Sequence, residues 1–312
     1  MESPIRKGHL LFTLGFILCQ FSWANMASSA TISQFTISPT TISLPDQDPD
    51  LVPEVQVLTD LLVNFSIRNL YGNENWTLEV YSDGDLLSGG DRIPIENTRW
   101  TVTGTGNPPG NFFNGSLNRG LYILAGQGPG RNNGRVNMTC VFRFYLKNSW
   151  SYSIGNYTRL ITLRLTVPGQ VMTRTFTLSL LLSGRAKLEM GLTAMSFPDA
   201  DPDTVSSIPS NVNPMSVMSS TRTSSNLTTR LSCLAAGDLV SGSDSIPIQK
   251  ITWQAAGSGY VPGTMSKVSG QTSGTWMGSG KRSGTFSYFL ANSWSYPVGQ
   301  YSTTLTYTLT AP

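Results

Sequence analysis

The sequence is poor in the residue types that most enzyme and metal sites require. It has one histidine, His9, and three cysteines, and only 12% of its 312 residues are charged. His9 lies in the first thirty residues, which have the features of a signal peptide, so the mature chain has no histidine; this excludes Ser-His-Asp and Cys-His nucleophilic sites and histidine-ligated zinc. Three cysteines are too few for a four-thiolate metal site. These absences favour a binding or structural protein over an enzyme.

The first thirty residues have the features of a secretory signal peptide. Arg6 and Lys7 precede an apolar run at residues 10–18 (LLFTLGFIL), and small residues follow. Cleavage after Ala24 or after Ala30 satisfies the small-residue rule. The alternative is a membrane anchor, but the run is too short to cross a bilayer comfortably. We therefore expect an exported protein, extracellular, at the cell surface or in the periplasm, with no transmembrane segment after cleavage.

Outside this predicted signal the charges nearly balance. Removing Glu2, Arg6 and Lys7 leaves 19 basic residues of 21 and 17 acidic residues of 18. A net charge this small gives no argument for a nucleic-acid partner.

Two long segments occur twice in the chain. Residues 148–157 (NSWSYSIGNY) recur as residues 292–301 (NSWSYPVGQY), with seven of ten positions identical. Residues 84–95 (GDLLSGGDRIPI) recur as residues 237–248 (GDLVSGSDSIPI), with nine of twelve identical. The offset is 144 for the first pair and 153 for the second, so the first copy carries nine extra residues. A period this long indicates a duplicated domain and not a solenoid.

Both copies run into segments that alternate apolar and polar residues, at 161–167 and 305–309. Many short alternating segments with glycine and proline turns predict an all-β protein of two tandem Ig-like β-sandwiches. We expect a signal peptide at 1–30, module 1 at 31–168, a linker with a strand-like segment at 169–186, and module 2 at 187–312. The aromatic anchors of the repeat are Trp100, Trp253, Trp150, Trp294, Tyr157 and Tyr301.

Residues 169–186 have no counterpart in module 2, yet residues 176–182 (FTLSLLL) alternate like a strand. We favour an inter-domain strand that packs on module 1 or continues into module 2. The alternative is that it completes module 1, while module 2 accepts a strand from another chain. Open sheet edges pair readily with added strands.

Two acidic loops are candidates for binding Ca²⁺, because alternating aspartates present several oxygens. Neither loop has the glycine and distal glutamate of an EF-hand. We favour turns capped by aspartate side chains, and expect no cofactor apart from this calcium candidate. The carboxylates concerned are Asp46, Asp48 and Asp50 in module 1 and Asp199, Asp201 and Asp203 in module 2.

Two further features leave alternatives open. Cys140 and Cys233 occupy non-equivalent positions, so a disulfide between them would join the modules; we favour two buried or unpaired thiols. Phe112 and Phe113 lie in a glycine-rich loop of module 1. They form either an exposed surface contact or part of the packed end of the sandwich.

Residues 299–309 (GQYSTTLTYTL) resemble the closing strand of bacterial surface Ig-like modules. The similar families are the fimbrial subunits of the chaperone–usher type and the related spore-coat-U family. The resemblance implies a sandwich that lacks one strand, which a neighbour's N-terminal extension fills. It also implies that two-domain members act as tip adhesins. The chain departs from the pattern in the short N-terminal extension of its mature form and in having no evident disulfide within a module.

The function predicted from these features is that of a non-catalytic, exported bacterial surface protein. It would be structural or adhesive, such as a fimbrial subunit or tip component, with other protein subunits or a surface glycan as partners. The alternative is a secreted or periplasmic Ig-like module that binds glycan or protein, which a groove lined with exposed aromatics would favour. A carboxylate-dependent glycoside hydrolase is less favoured, and would need two acids facing each other across a cleft.

Overall fold

The computed structural model describes residues 29–312. The predicted signal peptide, with His9 and Cys19, therefore lies outside the described residues except for its last two positions. None of the helices in residues 29–312 has the length and hydrophobicity needed to span a bilayer.

The first fourteen strands form one β-sandwich, which we call module 1. A short 3-10 helix (Ile95–Asn97) precedes its eighth strand. The strands are β1 (Thr31–Ser38), β2 (Thr41–Leu44), β3 (Glu54–Gln56), β4 (Leu61–Arg68), β5 (Asn75–Tyr81), β6 (Leu86–Ser88), β7 (Asp91–Ile93), β8 (Thr98–Asn107), β9 (Asn111–Phe112), β10 (Gly115–Ser116), β11 (Tyr122–Pro129), β12 (Arg135–Lys147), β13 (Gly155–Val167) and β14 (Gln170–Leu182).

Two sheets build module 1. One has the order β1-β4-β12-β8-β10, with β3 beside β12. The other has the order β2-β14-β13-β5-β11-β9, with β6 and β7 at its side. Every second side chain of a strand points to the same face of its sheet, so alternation buries one face of each strand. On β12 the buried side chains are Val136, Met138, Cys140, Phe142, Phe144 and Leu146.

The segment after Pro168 is a strand of the module 1 sheet. β14 pairs with β13 antiparallel along its whole length and with β2 parallel. Pro168 and Gly169 connect β13 to β14, and Gly169 has a φ of 81°. Proline followed by a glycine with positive φ is typical of a type II turn. Residues 169–186, which the sequence places between the modules, thus contain β14 and the first residues of the next sandwich.

The remaining strands form a second sandwich, module 2. A second 3-10 helix (Ile248–Lys250) precedes β21. The strands are β15 (Arg185–Met190), β16 (Ser207–Pro209), β17 (Met215–Arg222), β18 (Thr228–Ala235), β19 (Leu239–Ser241), β20 (Asp244–Ile246), β21 (Ile251–Ala256), β22 (Gly263–Thr264), β23 (Gln271–Met277), β24 (Gly280–Ala291) and β25 (Leu305–Thr310).

Module 2 repeats the topology of module 1 with fewer strands. Its larger sheet, β15-β17-β24-β21-β22 with β16 beside β24, corresponds to β1-β4-β12-β8-β10 with β3. Its smaller sheet, β23-β18-β25, corresponds to β11-β5-β13, and the β19–β20 pair corresponds to β6–β7. In the part of the chain that the structure describes, no strand of module 2 takes the places of β2 and β14. The prediction of an all-β protein with two tandem sandwiches is confirmed.

The structural register refines the alignment of the two copies. Leu61 of β4 and Met215 of β17 face equivalent phenylalanines of β12 and β24. The offset at this strand is therefore 154, one more than in the neighbouring blocks. As a consequence, Arg222 at the end of β17 is equivalent to Arg68 at the end of β4.

Candidate functional site

In module 1, β14 covers the edge of β13 that faces away from β5. It lies between β13 and β2, and its inward side chains are almost completely buried. The neighbouring inward side chains of β13 are fully buried as a result. The residues concerned are Phe176, Leu178, Leu180 and Leu182 on β14, and Ile161, Leu163 and Leu165 on β13.

The equivalent edge of module 2 has no strand along it. β25 pairs with β18 on one side, and no strand in residues 29–312 pairs with its other side. Leu305, Tyr307 and Leu309 are consequently only half-buried. An edge of this kind leaves backbone N–H and C=O groups available to a further strand.

The opposite wall of this space also differs between the modules. Ile42 and Leu44 of β2 are buried in module 1, whereas their equivalents Met195 and Phe197 are half-buried. The segment that carries Met195 and Phe197 is not a strand. In module 1, β2 pairs with β14 alone, so a module without the β14 counterpart has nothing to hold this segment in a sheet.

We call the half-buried apolar surface between these two walls the open groove. Its side chains pack against the core of module 2 on one side and remain partly exposed to solvent on the other. The groove consists of Leu188, Met190, Met195, Phe197, Tyr301, Leu305, Tyr307 and Leu309.

Tyr307 joins the open groove to the core beneath it. Its ring lies 6.1 Å from that of Phe286, nearly parallel to it. Its hydroxyl is hydrogen-bonded to that of Tyr288. Burial raises the pKa of Tyr307, so the groove floor stays uncharged at neutral pH. The groove therefore suits apolar side chains.

The duplicated stretch at 148–157 and 292–301 fixes the turn that leads into β13 and β25. Tyr157 donates a hydrogen bond from its hydroxyl to the Ser153 carbonyl at 3.0 Å. Tyr301 does the same to the Pro297 carbonyl at 2.8 Å. A tyrosine that reaches back a few residues near the start of a strand is the tyrosine corner of Ig-type sandwiches. These two anchors therefore stabilise the turns.

Trp100 and Trp253 are buried in the cores of their modules. Each donates its indole N–H to a backbone carbonyl, Trp100 to Phe113 at 3.2 Å and Trp253 to Val261 at 2.8 Å. A buried indole N–H needs such a partner. Both residues act in packing and lie away from the open groove.

The two neighbouring phenylalanines of the glycine-rich loop separate. Phe112 packs against the core, with its ring 6.1 Å from that of Trp76. Phe113 is 37% exposed. One ring is therefore part of the packed end of module 1, and the other lies at the surface.

Cys140 and Cys233 are unpaired and buried, one in each module. Burial raises the pKa of Cys140 to about 12 and that of Cys233 to about 11. Thiols with such pKa values carry almost no thiolate at neutral pH, and are poor nucleophiles and metal ligands.

The first acidic loop lies at the junction of the two modules, around a completely buried arginine. Arg222 is 0% exposed and donates to Oδ1 of Asp46 at 2.6 Å and to the Ser149 carbonyl at 3.1 Å. It also donates to the side-chain oxygen of Asn148, and its guanidinium carbon lies 5.9 Å from the Trp150 ring centroid. Burial lowers the pKa of Arg222, an effect that Asp46 opposes. Since a guanidinium stays protonated, Arg222 is a buried, paired cation.

The other two carboxylates of this loop also face basic residues of module 2. Oδ2 of Asp48 lies 3.7 Å from Arg185. Asp50 accepts from Lys281 at 2.9 Å and from Lys187 at 3.1 Å. The hydrogen bond from Lys281 is the main cause that lowers the pKa of Asp50 to about 2. All three aspartates of the first loop thus have a cationic partner within the chain.

Both acidic loops contain the same type of backbone turn. The N–H of Asp50 donates to Oδ1 of Asp48 at 2.9 Å, and the N–H of Asp203 donates to Oδ1 of Asp201 at 2.9 Å. This is the hydrogen bond of an Asx turn. Within residues 29–312, no group of three or more His, Cys, Asp or Glu side chains is placed to hold a metal ion.

The second acidic loop lies at the end of module 2 and is uncovered. Asp199, Asp201 and Asp203 are exposed, and none of them forms an ion pair within the described part of the chain. Trp294 donates its indole N–H to Oδ1 of Asp203 at 3.1 Å and is 70% exposed. Its equivalent Trp150, at the junction, is 4% exposed.

The four basic residues that lie against the first acidic loop were not identified from the sequence. Arg185, Lys187, Arg222 and Lys281 belong to three different strands of module 2. The available signal was the duplication itself. Each aspartate of the first loop has a counterpart in the second loop. The duplication therefore invites a comparison of the residues that lie against the two loops.

No protein-family model matches the chain, and no curated protein matches it either. Solved structures do match. The CooA pilin subunit from enterotoxigenic Escherichia coli is 12% identical, with 50% of this chain and 99% of that chain covered and a TM-score of 0.32. A chain of the CsuC–CsuE chaperone–tip adhesion subunit complex from Acinetobacter baumannii is 12% identical, with 88% and 99% covered and a TM-score of 0.32.

A family 123 glycoside hydrolase from Clostridium perfringens also matches. It is 13% identical, with 50% of this chain and 27% of that chain covered and a TM-score of 0.28. Chaperone–usher fimbrial subunits and tip adhesins are thus among the solved structures that this chain resembles. With identities and TM-scores this low, the similarities assign no function to the chain.

Proposed function

We propose that the chain is a structural or adhesive subunit of the bacterial cell surface, whose module 2 is completed by a β-strand from another polypeptide. The observation that supports this is the contrast between two copies of one fold. In module 1, β14 covers Ile161, Leu163 and Leu165 completely. In module 2 the same row of side chains lines the open groove.

Module 1 supplies the expected geometry of the added strand. β14 runs antiparallel to β13, with Phe176 opposite Ile161, and parallel to β2. A strand in the same register in module 2 places a large apolar residue opposite Leu305. Further apolar residues follow at every second position toward Tyr301. Such a strand also pairs with the segment that carries Met195 and Phe197, and so restores the missing β2 counterpart.

The physical reason for a second polypeptide is the cost of leaving this surface open. An exposed strand edge beside apolar side chains is a site of uncontrolled pairing and aggregation. Adding a strand gives the backbone N–H and C=O groups of the edge hydrogen-bond partners and buries the apolar side chains in one step. An exported protein that presents such an edge is therefore suited to assembly with other subunits. The predicted signal peptide and the shortage of catalytic residue types support the same role.

The test is the binding of a synthetic peptide of residues 170–184, which contains β14, to the chain starting at Thr31. Fluorescence polarisation with labelled peptide measures the affinity, and a thermal scan measures the midpoint of module 2. We expect saturable binding and a rise in that midpoint, because a ligand of the folded state stabilises it. A peptide with Leu178→Asn and Leu180→Asn is the control, and it should not bind.

Two adjacent positions of β25 provide a matched pair of variants. Leu305 faces the open groove and Thr306 faces away from it. Leu305→Lys should abolish peptide binding, and Thr306→Lys should leave it unchanged. Equal affinities for the two variants, or a chain that binds no peptide and stays monomeric at high concentration, would refute the proposal.

A further inference from the structure

The junction between the modules shows what covers an acidic loop of this type. In module 1 the loop is closed by a sandwich end that carries Arg185, Lys187, Arg222 and Lys281. The same contact buries Trp150. The covering surface is therefore cationic and reaches an aromatic ring.

The second loop has the same turn and the same asparagine hydrogen bonds as the first loop, although no basic residue forms an ion pair with it within residues 29–312. Asn148 and Asn292 each donate two hydrogen bonds to loop carbonyls, at 2.9–3.0 Å. The Asx turns of the two loops are also alike. Because backbone and bracing side chains agree, the second loop already has the shape that the first loop has in its covered form.

The second loop differs from the first in what surrounds it. Its three carboxylates are exposed and form no ion pairs within residues 29–312. Trp294 is 70% exposed, and Val298, four positions further along the chain, is fully exposed. A cluster of acids around an exposed indole attracts guanidinium and ammonium groups, by charge and by cation–π contact.

The chain path links this loop to the open groove. In module 1, β14 continues through Ser183 and Gly184 directly into β15, which carries Arg185 and Lys187. The N–H of Ser183 donates to Oδ2 of Asp46 at 3.1 Å on the way. A strand seated in the open groove in the β14 register therefore brings the residues that follow it to the second loop.

We propose that the Asp199–Asp203 loop and Trp294 form a docking surface for the positively charged end of the subunit that supplies the strand. This inference rests on the proposed function and names the chemistry of the partner. The partner has a donor strand, followed within about three residues by basic residues of a sandwich edge, as in the internal junction.

Charge complementarity favours a different subunit over a second copy of this chain. The free end of module 1 is equivalent in register to the covering end of module 2. Only one of the four equivalent positions is basic there. The equivalents of Arg185, Lys187, Arg222 and Lys281 are Thr31, Gln34, Arg68 and Asn137.

The experiment compares three peptides on the full chain starting at Thr31. The short peptide is residues 170–184, the long peptide is residues 170–190, and the neutral long peptide carries Arg185→Ser and Lys187→Ser. We expect the long peptide to bind about threefold to tenfold more tightly than its neutral form, since exposed ion pairs contribute modestly. This difference should disappear at about 1 M salt, where such pairs are screened.

Variants of the chain show which acidic loop gives the long peptide its higher affinity. Asp201→Asn with Asp203→Asn should remove the advantage of the long peptide. The matched control, Asp48→Asn with Asp50→Asn, changes the loop that is already covered and should keep the advantage. Circular dichroism confirms that each variant is folded at the temperature of the assay.

The outcomes separate the two proposals. If the short peptide binds but the long and neutral peptides are equal, the docking surface is overturned and strand acceptance stands. If the two pairs of loop variants lose the advantage equally, the docking surface is also overturned. If no peptide binds, both proposals fail. If the chain alone self-associates and Asp201→Asn with Asp203→Asn prevents it, the assignment to a different subunit is overturned.

Discussion

Replacing the two equivalent tryptophans by alanine tests how far the modules differ in their surroundings. Trp150 and Trp294 occupy the same position of the duplicated stretch. Trp150 is 4% exposed at the junction, and Trp294 is 70% exposed at the end of module 2. We expect Trp150→Ala to destabilise the protein strongly and Trp294→Ala to have a small effect.

The magnitude follows from the difference in exposure. A tryptophan buries up to about 250 Å². Two thirds of that area, at about 25 cal/mol per Å², corresponds to about 4 kcal/mol between the two variants. This agrees with the range for truncating a buried tryptophan, about 3 to 5 kcal/mol. For a module of this size it is a difference of about 10 °C in Tm.

The assay is thermal or urea unfolding followed by far-UV circular dichroism, because removing a tryptophan alters the fluorescence signal itself. The control is the double variant, in which the two effects should add, since distant sites are independent. Equal losses for Trp150→Ala and Trp294→Ala would refute the reasoning. That result would mean that Trp294 is covered by some other part of the protein in solution.

Three other perturbations have defined outcomes. Asp50→Asn should lower the Tm at pH 7 but hardly at pH 2. The hydrogen bond from Lys281 lowers the pKa of Asp50 from 3.8 to about 2. The stabilisation of the folded state by the Asp50 carboxylate is therefore present above pH 3.8 and is lost as the pH falls through about 2. The same loss in Tm at both pH values would contradict this. Cys140 and Cys233 should react with a thiol reagent at pH 8 only after denaturation, because both are buried with raised pKa values; rapid labelling of the native protein would be the contrary result. Gly169→Ala should cost about 1 to 2 kcal/mol in urea unfolding, because its φ of 81° is unfavourable for any residue with a Cβ, and an unchanged midpoint would argue against this turn.

The sandwich architecture could be predicted because strand alternation and duplication are local properties of the sequence. The turn at Pro168 and Gly169 places β14 beside β13, but the pairing of β14 with β2 could not be predicted in the same way. Its alternation shows that residues 176–182 form a strand with one buried face, but the pattern is the same whichever sheet the strand joins. The second neighbour of β14 is β2, whose residues are more than 130 positions earlier in the chain.

The candidate site was predictable only on its acidic side. Alternating aspartates are visible in the sequence, whereas their partners come from distant strands: Arg222 is 176 positions from Asp46. The equivalence of Arg222 with Arg68 is also hidden, because the offset of the duplication shifts by one residue at this strand. Ionic junctions between domains therefore need the strand register before they can be identified.

The internal junction explains why a strand and a charged end belong together in one partner. In module 1 the strand β14 and the basic residues of β15 are separated by Ser183 and Gly184, so seating the strand brings the basic residues to the acidic loop. Tethering of this kind gives the second contact an effective concentration of about millimolar or more. Ion pairs that are individually weak can then fix the orientation of one sandwich on the next, while the apolar strand supplies most of the affinity. If the chain assembles as proposed, neutralising Asp201 and Asp203 should change the angle between the chain and its partner subunit more than the strength of their association.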